Sequence, residues 1–276
     1  MDLGSVIGML IGIMLITGAI ASEGNVAIYL SLNGFMIAFG GVVASIFIAY
    51  PLSDIFRVFK FVKTVFLRRE ACDLPSYVDL FEEFARIVRR EGPISMERAM
   101  DRFDNEFYRQ GCQLVADGIS SDKLEEILTK DIEAMDERHK VGRELFHFGM
   151  QAGPAFGLIG AVIGIIQMLA ALATGETGPV MIARMAAGMS LALCATLYGI
   201  TLAYLIFAPI SSKLANRSDE EINEKQMFME GFLALQANEP AQMVRQRMEV
   251  FMPPNLRRSQ SKEAQAVSGG RAAAGL

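Results

Sequence analysis

Disulfide partners, metal ligands and charge inside apolar segments are all scarce in this chain of 276 residues. The cysteines are Cys72, Cys112 and Cys194; they imply no disulfide framework and lack the spacing of a metal site. His139 and His147 could share a helical face, but a two-histidine site lacks its other ligands. No glycine cluster is followed by the lysine of a phosphate-cradling GxxxxGK[ST] loop. No Ser, His and Asp arrangement suggests a nucleophile, and Cys194 lies in apolar surroundings without a nearby base. An enzyme is therefore not expected. The net charge of -5 comes from segments that mix both signs, which gives no sign of nucleic-acid binding.

What the chain has in abundance is clustered apolar sequence. Hydrophobic residues make up 52 % and the mean hydropathy is +0.32. Clustering separates a membrane protein from a soluble one with a large core. Four windows can each span roughly 30 Å of hydrocarbon at about 1.5 Å per residue. They are Leu3–Ala21, Val26–Tyr50, Ala155–Ala173 and Ile182–Phe207, with Ser31, Asn33 and Arg184 blurring two edges. The first lacks the positive n-region of a signal peptide and reads as a retained span. The fold class expected is an all-α polytopic membrane protein with four transmembrane helices and a helical cytoplasmic domain between spans two and three.

Positive charge sets the orientation. Residues 1–50 hold no Lys or Arg, residues 51–150 hold sixteen, residues 151–207 hold only Arg184, and residues 208–276 hold nine. Basic segments stay cytoplasmic, and Arg57, Lys60, Lys63, Lys213 and Arg217 lie close to span ends, where the rule is strongest. Both termini are expected in the cytoplasm, with the loops near Glu23 and Glu176 outside. The domain organisation expected is a membrane hairpin over 1–50, a cytoplasmic helical domain over 51–150 and a second hairpin over 151–208. Cytoplasmic helices follow over 209–254, then a disordered tail over 255–276 rich in Ser, Ala, Gly and Arg.

Local punctuation divides the cytoplasmic parts. Pro51 closes span two, and Asp54–Arg69 forms a basic amphipathic helix. A helix starts at Leu74–Pro75–Ser76 and stops at Glu91–Gly92–Pro93. Ser95 can cap the next, and a third covers Asn105–Ala116 and ends at Gly118. Asp122 with Glu125, and Ser218 with Glu221, have capping-box spacing. The helix from Leu124 onwards is expected to run towards span three. Pro240 begins a last short helix that stops at Pro253–Pro254.

The second hairpin, Pro154 to Pro209, is the most informative stretch. Gly157, Gly160 and Gly164 recur on successive turns of its first helix; Ser190, Thr196 and Thr201 are the polar residues of its second. Gly4, Gly8 and Gly12 recur in span one, where small residues allow close helix packing, within one subunit or between subunits. Ion coupling in lipid generally uses an intramembrane ionisable group, and the apolar part of this hairpin contains no Asp, Glu, Lys or His. Arg184 sits at the outer edge and snorkels. Buried hydroxyls commonly bond back to their own helix, but they can also line a water-filled path. A scaffold, or an ion path completed by a partner's carboxylate, fits better than a transporter acting alone. The charges Arg89, Arg90, Glu91 and Glu97 around Gly92–Pro93 suit either a solvated helix end or a transient charge-complementary contact.

Four stretches carry a resemblance: PAFGLIGAVIGIIQMLAAL, ATLYGITLAYLIFAPISSKLANRSDEE, MEGFLALQANEPAQMVRQRMEVFMPP and FGGVVASIFIAYPLSDIFRVFK. With LTKDIEAMDERH, they make residues 1–254 resemble the flagellar stator A subunits, MotA and its sodium-type relative PomA. The resemblance implies a pentameric ring of A subunits in the bacterial inner membrane, in contact with membrane lipid. It implies partner B subunits similar to MotB, each with one span, an essential Asp and a peptidoglycan-binding domain. The rotor protein FliG would be driven through cytoplasmic charges. Carried over residue by residue, Pro154 and Pro209 match the family's coupling prolines, and Arg89, Arg90 and Glu97 its rotor-facing charges. Thr196 matches the span-four threonine of the ion path. Ala161 and Ala195 stand where sodium-type members have threonine, which removes oxygen ligands that a dehydrated sodium ion needs. No cofactor is implied, and the transported ion expected is the proton. ExbB- or TolQ-like energisers share the superfamily but have one span before the large cytoplasmic region, where this chain has two. A non-flagellar motor of this type, or a scaffold without ion flux, are the remaining alternatives.

Overall fold

The computed structural model describes residues 3–22, 24–67, 73–102, 105–173 and 178–254, and the expected tail over 255–276 lies outside them. The described residues are almost entirely helical, with no strand among them. They form two compact units. One comprises the described residues of 1–69 with 138–217, the other those of 70–137 with 218–276.

In the first unit, α1 (Leu3–Ser22) is 20 residues long and carries no charge. Its Ile7–Ser22 part is a shorter apolar helix, and three helical stretches are long and apolar enough to cross a membrane: Val26–Ala49, and parts of Ser121–Ala173 and Pro179–Gln236. The second window is not one straight helix. A 3-10 turn at Val26–Tyr29 is followed by extended backbone at Leu30 and Ser31. The helix proper begins with α2 (Leu32–Phe35), where the Ser31 hydroxyl accepts from the Gly34 N–H as an N-cap. It widens into a π-helical segment at Met36–Gly40 and continues as α3 (Gly41–Ala49). Tyr50 then turns extended, as the residue before Pro51 must. The amphipathic helix expected beyond it is α4 (Leu52–Leu67). Val42, Ile46, Ile55, Val58, Leu145, Phe146 and Leu214 make a buried cluster in this unit.

The second unit is built from α5 (Leu74–Glu91), a 3-10 stretch Pro93–Arg102, α6 (Glu106–Ala116), the first part of α7 (Ser121–Ala173), the last part of α9 (Ala208–Gln236) and α10 (Ala241–Glu249). Gly92 ends α5 at φ 86° and Gly118 follows α6 at φ 66°, left-handed positions where glycine carries no Cβ penalty. Asn105 caps α6 by accepting from the Phe107 N–H at 3.0 Å. The core is aromatic: Phe81 packs edge-on against Phe84, Phe228 and Phe232, and Tyr108 stacks on Phe228. Gly111 and Gly231 are glycine because Phe232 and Phe81 occupy the space a Cβ would need.

Three expected caps are corrected. The Ser95 hydroxyl donates to the Gly92 carbonyl at 2.6 Å, and the 3-10 stretch already starts at Pro93. Asp122 lies inside the first turn of α7, where its charge suits the helix dipole, while the Ser120 carbonyl accepts the first helical bonds. Ser218 is interior to α9; its hydroxyl donates to Asp136 Oδ1 at 3.5 Å. The helix arriving from the preceding span makes a new start at Ser218 unnecessary. From Pro179 to Gln236 the chain is continuously helical through α8 (Pro179–Thr201), a π-helical segment (Leu202–Phe207) and α9.

Candidate functional site

The second hairpin forms a crossing of two glycine-faced helices. A methyl built at Gly153 would lie 2.7 Å from the Gly199 carbonyl oxygen, at Gly157 3.2 Å from the Ala195 carbonyl oxygen, and at Gly164 2.4 Å from the Gly188 carbonyl oxygen. At Gly160 it would meet the Ala195 Cβ at 2.3 Å. The two helices thus approach closely from Gly153 to Gly164 of α7, with glycines and the alanine methyls of Ala192 and Ala195 between them. Lipid offers no hydrophobic drive to hold helices together, so dispersion at such close approach is what does it. The stripe at Gly4, Gly8 and Gly12 behaves differently: Gly8 faces open space, and Gly12 meets only the Leu205 side chain.

Thr196 lies on this crossing, half-buried. Its hydroxyl is 3.0 Å from its own helix's Ala192 carbonyl and 3.4 Å from the Gly157 carbonyl of α7, and can donate to either. Ala195 is completely buried, its backbone N–H side against Gly34 and its methyl against Gly160. Ala161 follows Gly160 on α7 and is half-buried. Pro154 is half-buried between Gly153 and Gly157 in an unbroken stretch of α7. Pro209 is exposed at the start of α9, directly after the π-helical segment. A proline clashes with the carbonyl four residues back, and the wider π turn relieves that conflict. Thr196, Ala195 and the glycines are therefore brought together, with Pro154 one turn away; Pro209 lies beyond the far end of α8.

Arg89 and Arg90 occupy the last turn of α5, where cations complement the helix dipole, and both are exposed. Glu97 is exposed on the 3-10 stretch. None of the three makes an ion pair among the described residues, whereas neighbouring Glu91 meets Arg98 at 3.4 Å and Glu83 meets Arg102 at 3.2 Å. Ile94, between the two groups, is 70% exposed. These charges belong to the second unit. No group of three or more His, Cys, Asp or Glu capable of holding a metal occurs among the described residues. His147 Nε2 sits 3.1 Å from Gln151 Nε2.

Ser190 departs from the expectation of back-bonding. It lies 3.4 Å from the Ile28 carbonyl in the broken start of the second span, and Cys194 Sγ lies 3.5 Å from the same oxygen. Tyr198, one turn on, donates to the Tyr29 carbonyl and accepts from the Ser31 N–H at 3.0 Å. Tyr198 was not singled out from sequence. The available signal was its i, i+4, i+8 spacing with Cys194 and Ser190, opposite a window interrupted by Ser31.

The profile of the MotA/TolQ/ExbB proton channel family matches residues 99–227. The chain is 30% identical over 265 residues to "Motility protein A" of Treponema phagedenis, covering 95% of this chain and 98% of that protein. Among solved structures it is similar to the chain described as "Structure of C. jejuni MotAB", with a TM-score of 0.79, 26% identity, and 92% and 97% of the two chains covered. It is also similar to one from the flagellar MotAB stator complex of Bacillus subtilis, with a TM-score of 0.75, 26% identity, and 91% and 97% covered.

Proposed function

We propose a mechanism from one premise: the chain belongs to the MotA/PomA family and is a flagellar stator A subunit, a membrane protein and not an enzyme. It works in four spans, with α1 as the first, and with both termini in the cytoplasm. The A subunits form a pentameric ring around a MotB-like partner with a single span, an intramembrane Asp and a peptidoglycan-binding domain. The observation that carries this reading is the α7–α8 crossing. It is a wall of small residues with one hydroxyl, Thr196, facing its partner helix and no Asp, Glu, Lys or His in its apolar part. A hydroxyl can order water but cannot release a proton by titration at neutral pH. The carboxylate must come from the partner, as the MotAB pairing in the similar structures supports.

The ion is the proton. Ala195 fills its space with a methyl packed on Gly160, and Ala161 likewise offers no oxygen. A dehydrated sodium ion would need several such ligands. Pro154 and Pro209 lie at the same, cytoplasmic end of the crossing, one on each helix, and are where movement of the hairpin bends the flanking helices. Arg89, Arg90 and Glu97 engage the rotor protein FliG through weak, screened pairs suited to a contact made and broken at each step.

Deleting the gene and complementing it tests the role: motility is expected to be lost and restored. Holding the proton gradient fixed while the sodium gradient is changed tests the ion, and torque that follows sodium overturns the proton assignment.

A further inference from the structure

The broken start of the second span leaves backbone polar groups that its own helix cannot satisfy. Leu30 has φ -100° and ψ 91°, and Ser31 φ -111° and ψ 106°, both extended. The carbonyls of Ile28 and Tyr29 and the N–H of Ser31 are consequently outside the regular helical ladder. Non-helical backbone at membrane depth is tolerated only where protein or water satisfies it. Here one row on α8 does so. Ser190 and Cys194 reach Ile28 O at 3.4 Å and 3.5 Å, and the Tyr198 hydroxyl spans the break, donating to Tyr29 O and accepting from Ser31 N–H at 3.0 Å.

We propose that Ser190, Cys194 and Tyr198 form a latch that fixes the broken outer end of the second span to α8, with Tyr198 as its positioning residue. Ser190 and Cys194 share a single acceptor at long range, whereas Tyr198 closes two groups at once. The Tyr198 ring also meets Phe35 edge-on, with centroids 6.2 Å apart. Gly34 sits so close to Ala195 that a methyl there would lie 3.2 Å from its nitrogen. The latch therefore holds α8 one turn from Ala195 and Thr196, and sets the rotation with which Thr196 faces Gly157. The consequence for torque rests on the stator reading above; the latch itself does not.

Tyr198→Phe keeps the ring and its Phe35 contact and removes only the hydroxyl. Tyr29 O and Ser31 N–H then need water, and water at that depth exposes the neighbouring thiol of Cys194, now 5% exposed. The test treats cells producing the full chain with its B partner with a small membrane-impermeant methanethiosulfonate. Mass spectrometry locates the adduct at Cys194. Labelling is expected to be on the order of 10-fold or more faster in Y198F, since opening of a locally stabilised segment governs access. Ser190→Ala, which loses only long contacts, to Ile28 O at 3.4 Å and to Cys194 Sγ at 3.8 Å, is expected to change it by less than about threefold. Equal labelling of Y198F and wild type overturns the latch. If Y198F fails to accumulate, hydrogen exchange at the Ser31 amide of the wild-type complex decides. Strong protection supports the latch, and exchange at the free-peptide rate overturns it. Stall torque measured at equal complex abundance separates positioning from mere support. A fall in Y198F supports the positioning of Thr196; unchanged torque beside faster labelling overturns that role.

Discussion

Gly164→Ala places one methyl into the tightest point of the α7–α8 crossing. That methyl would sit 2.4 Å from the Gly188 carbonyl oxygen, 2.6 Å from the Ala192 nitrogen and 2.9 Å from the Ala192 Cβ. The two nearest are backbone atoms, so no rotamer change relieves the overlap. Ordinary contact requires the helices to part by about 1 Å, and overpacking of this kind costs about 1–3 kcal/mol. Alanine returns about 1 kcal/mol of helix propensity. The net loss, up to about 2 kcal/mol, lowers the ratio of native to parted crossings by as much as about 30-fold without preventing insertion. Gly8→Ala is the control: nothing lies within 4 Å of its added methyl, so it gains propensity and meets no clash. Swimming speed and stall torque, normalised to membrane-inserted protein, are the readouts. G164A is expected to be strongly impaired and G8A unaffected. A G164A motor with wild-type torque beside an impaired G8A motor would refute the claim that the close crossing is the working part.

Other consequences are independent of that crossing. Phe81 is completely buried among aromatic rings, so Phe81→Ala should destabilise the second unit by about 3–5 kcal/mol, read as loss of accumulated protein or a lowered melting temperature. Burial pushes the Cys112 thiol up to about 12 from an ordinary 9.0. Because the folded value is the raised one, this stabilisation is intact below about pH 9 and declines as pH rises towards 12. Alkylation of Cys112 at neutral pH should therefore track unfolding of the unit, and immediate labelling of folded protein would contradict its burial. Thr196→Val keeps the shape and removes the hydroxyl; assembly should be unchanged and torque reduced, whereas full torque would reduce Thr196 to a helix back-bond. Reversing both Arg89 and Arg90 to Glu should weaken rotor engagement, with partial recovery from compensating charge changes on the rotor. An unchanged motor would assign these arginines to a solvated helix end.

Much of the fold was legible because its signals are local. Gly92 and Gly118 end helices by accepting positive φ, Asn105 caps α6, and Pro51 forces Tyr50 extended. The glycines of α7 were visible as a stripe, though only the structure shows that they face Gly188, Ala195 and Gly199, while Gly8 faces nothing. Capping-box spacing misled at Ser218, because a motif that can start a helix says nothing about one already running through it. The break at Leu30–Ser31 was hidden in an apolar run, since hydropathy reports composition and not backbone geometry. The role of Tyr198 was hidden for the same reason: its spacing with Ser190 and Cys194 is visible, but its partners are main-chain groups exposed only by that break. The exposed charges Arg89, Arg90 and Glu97 were found by pattern and resemblance, and their lack of ion pairs among the described residues is what the fold adds.

The central claim is that this chain builds the wall of an ion path and borrows the titrating carboxylate. Proton influx measured by cytoplasmic pH, after an imposed gradient, tests it directly in three strains: one producing this chain alone, one adding the MotB-like partner, and one with that partner's intramembrane Asp changed to Asn. Influx is predicted only in the second strain. Influx through this chain alone, or influx that survives the loss of the partner's carboxylate, would contradict the account.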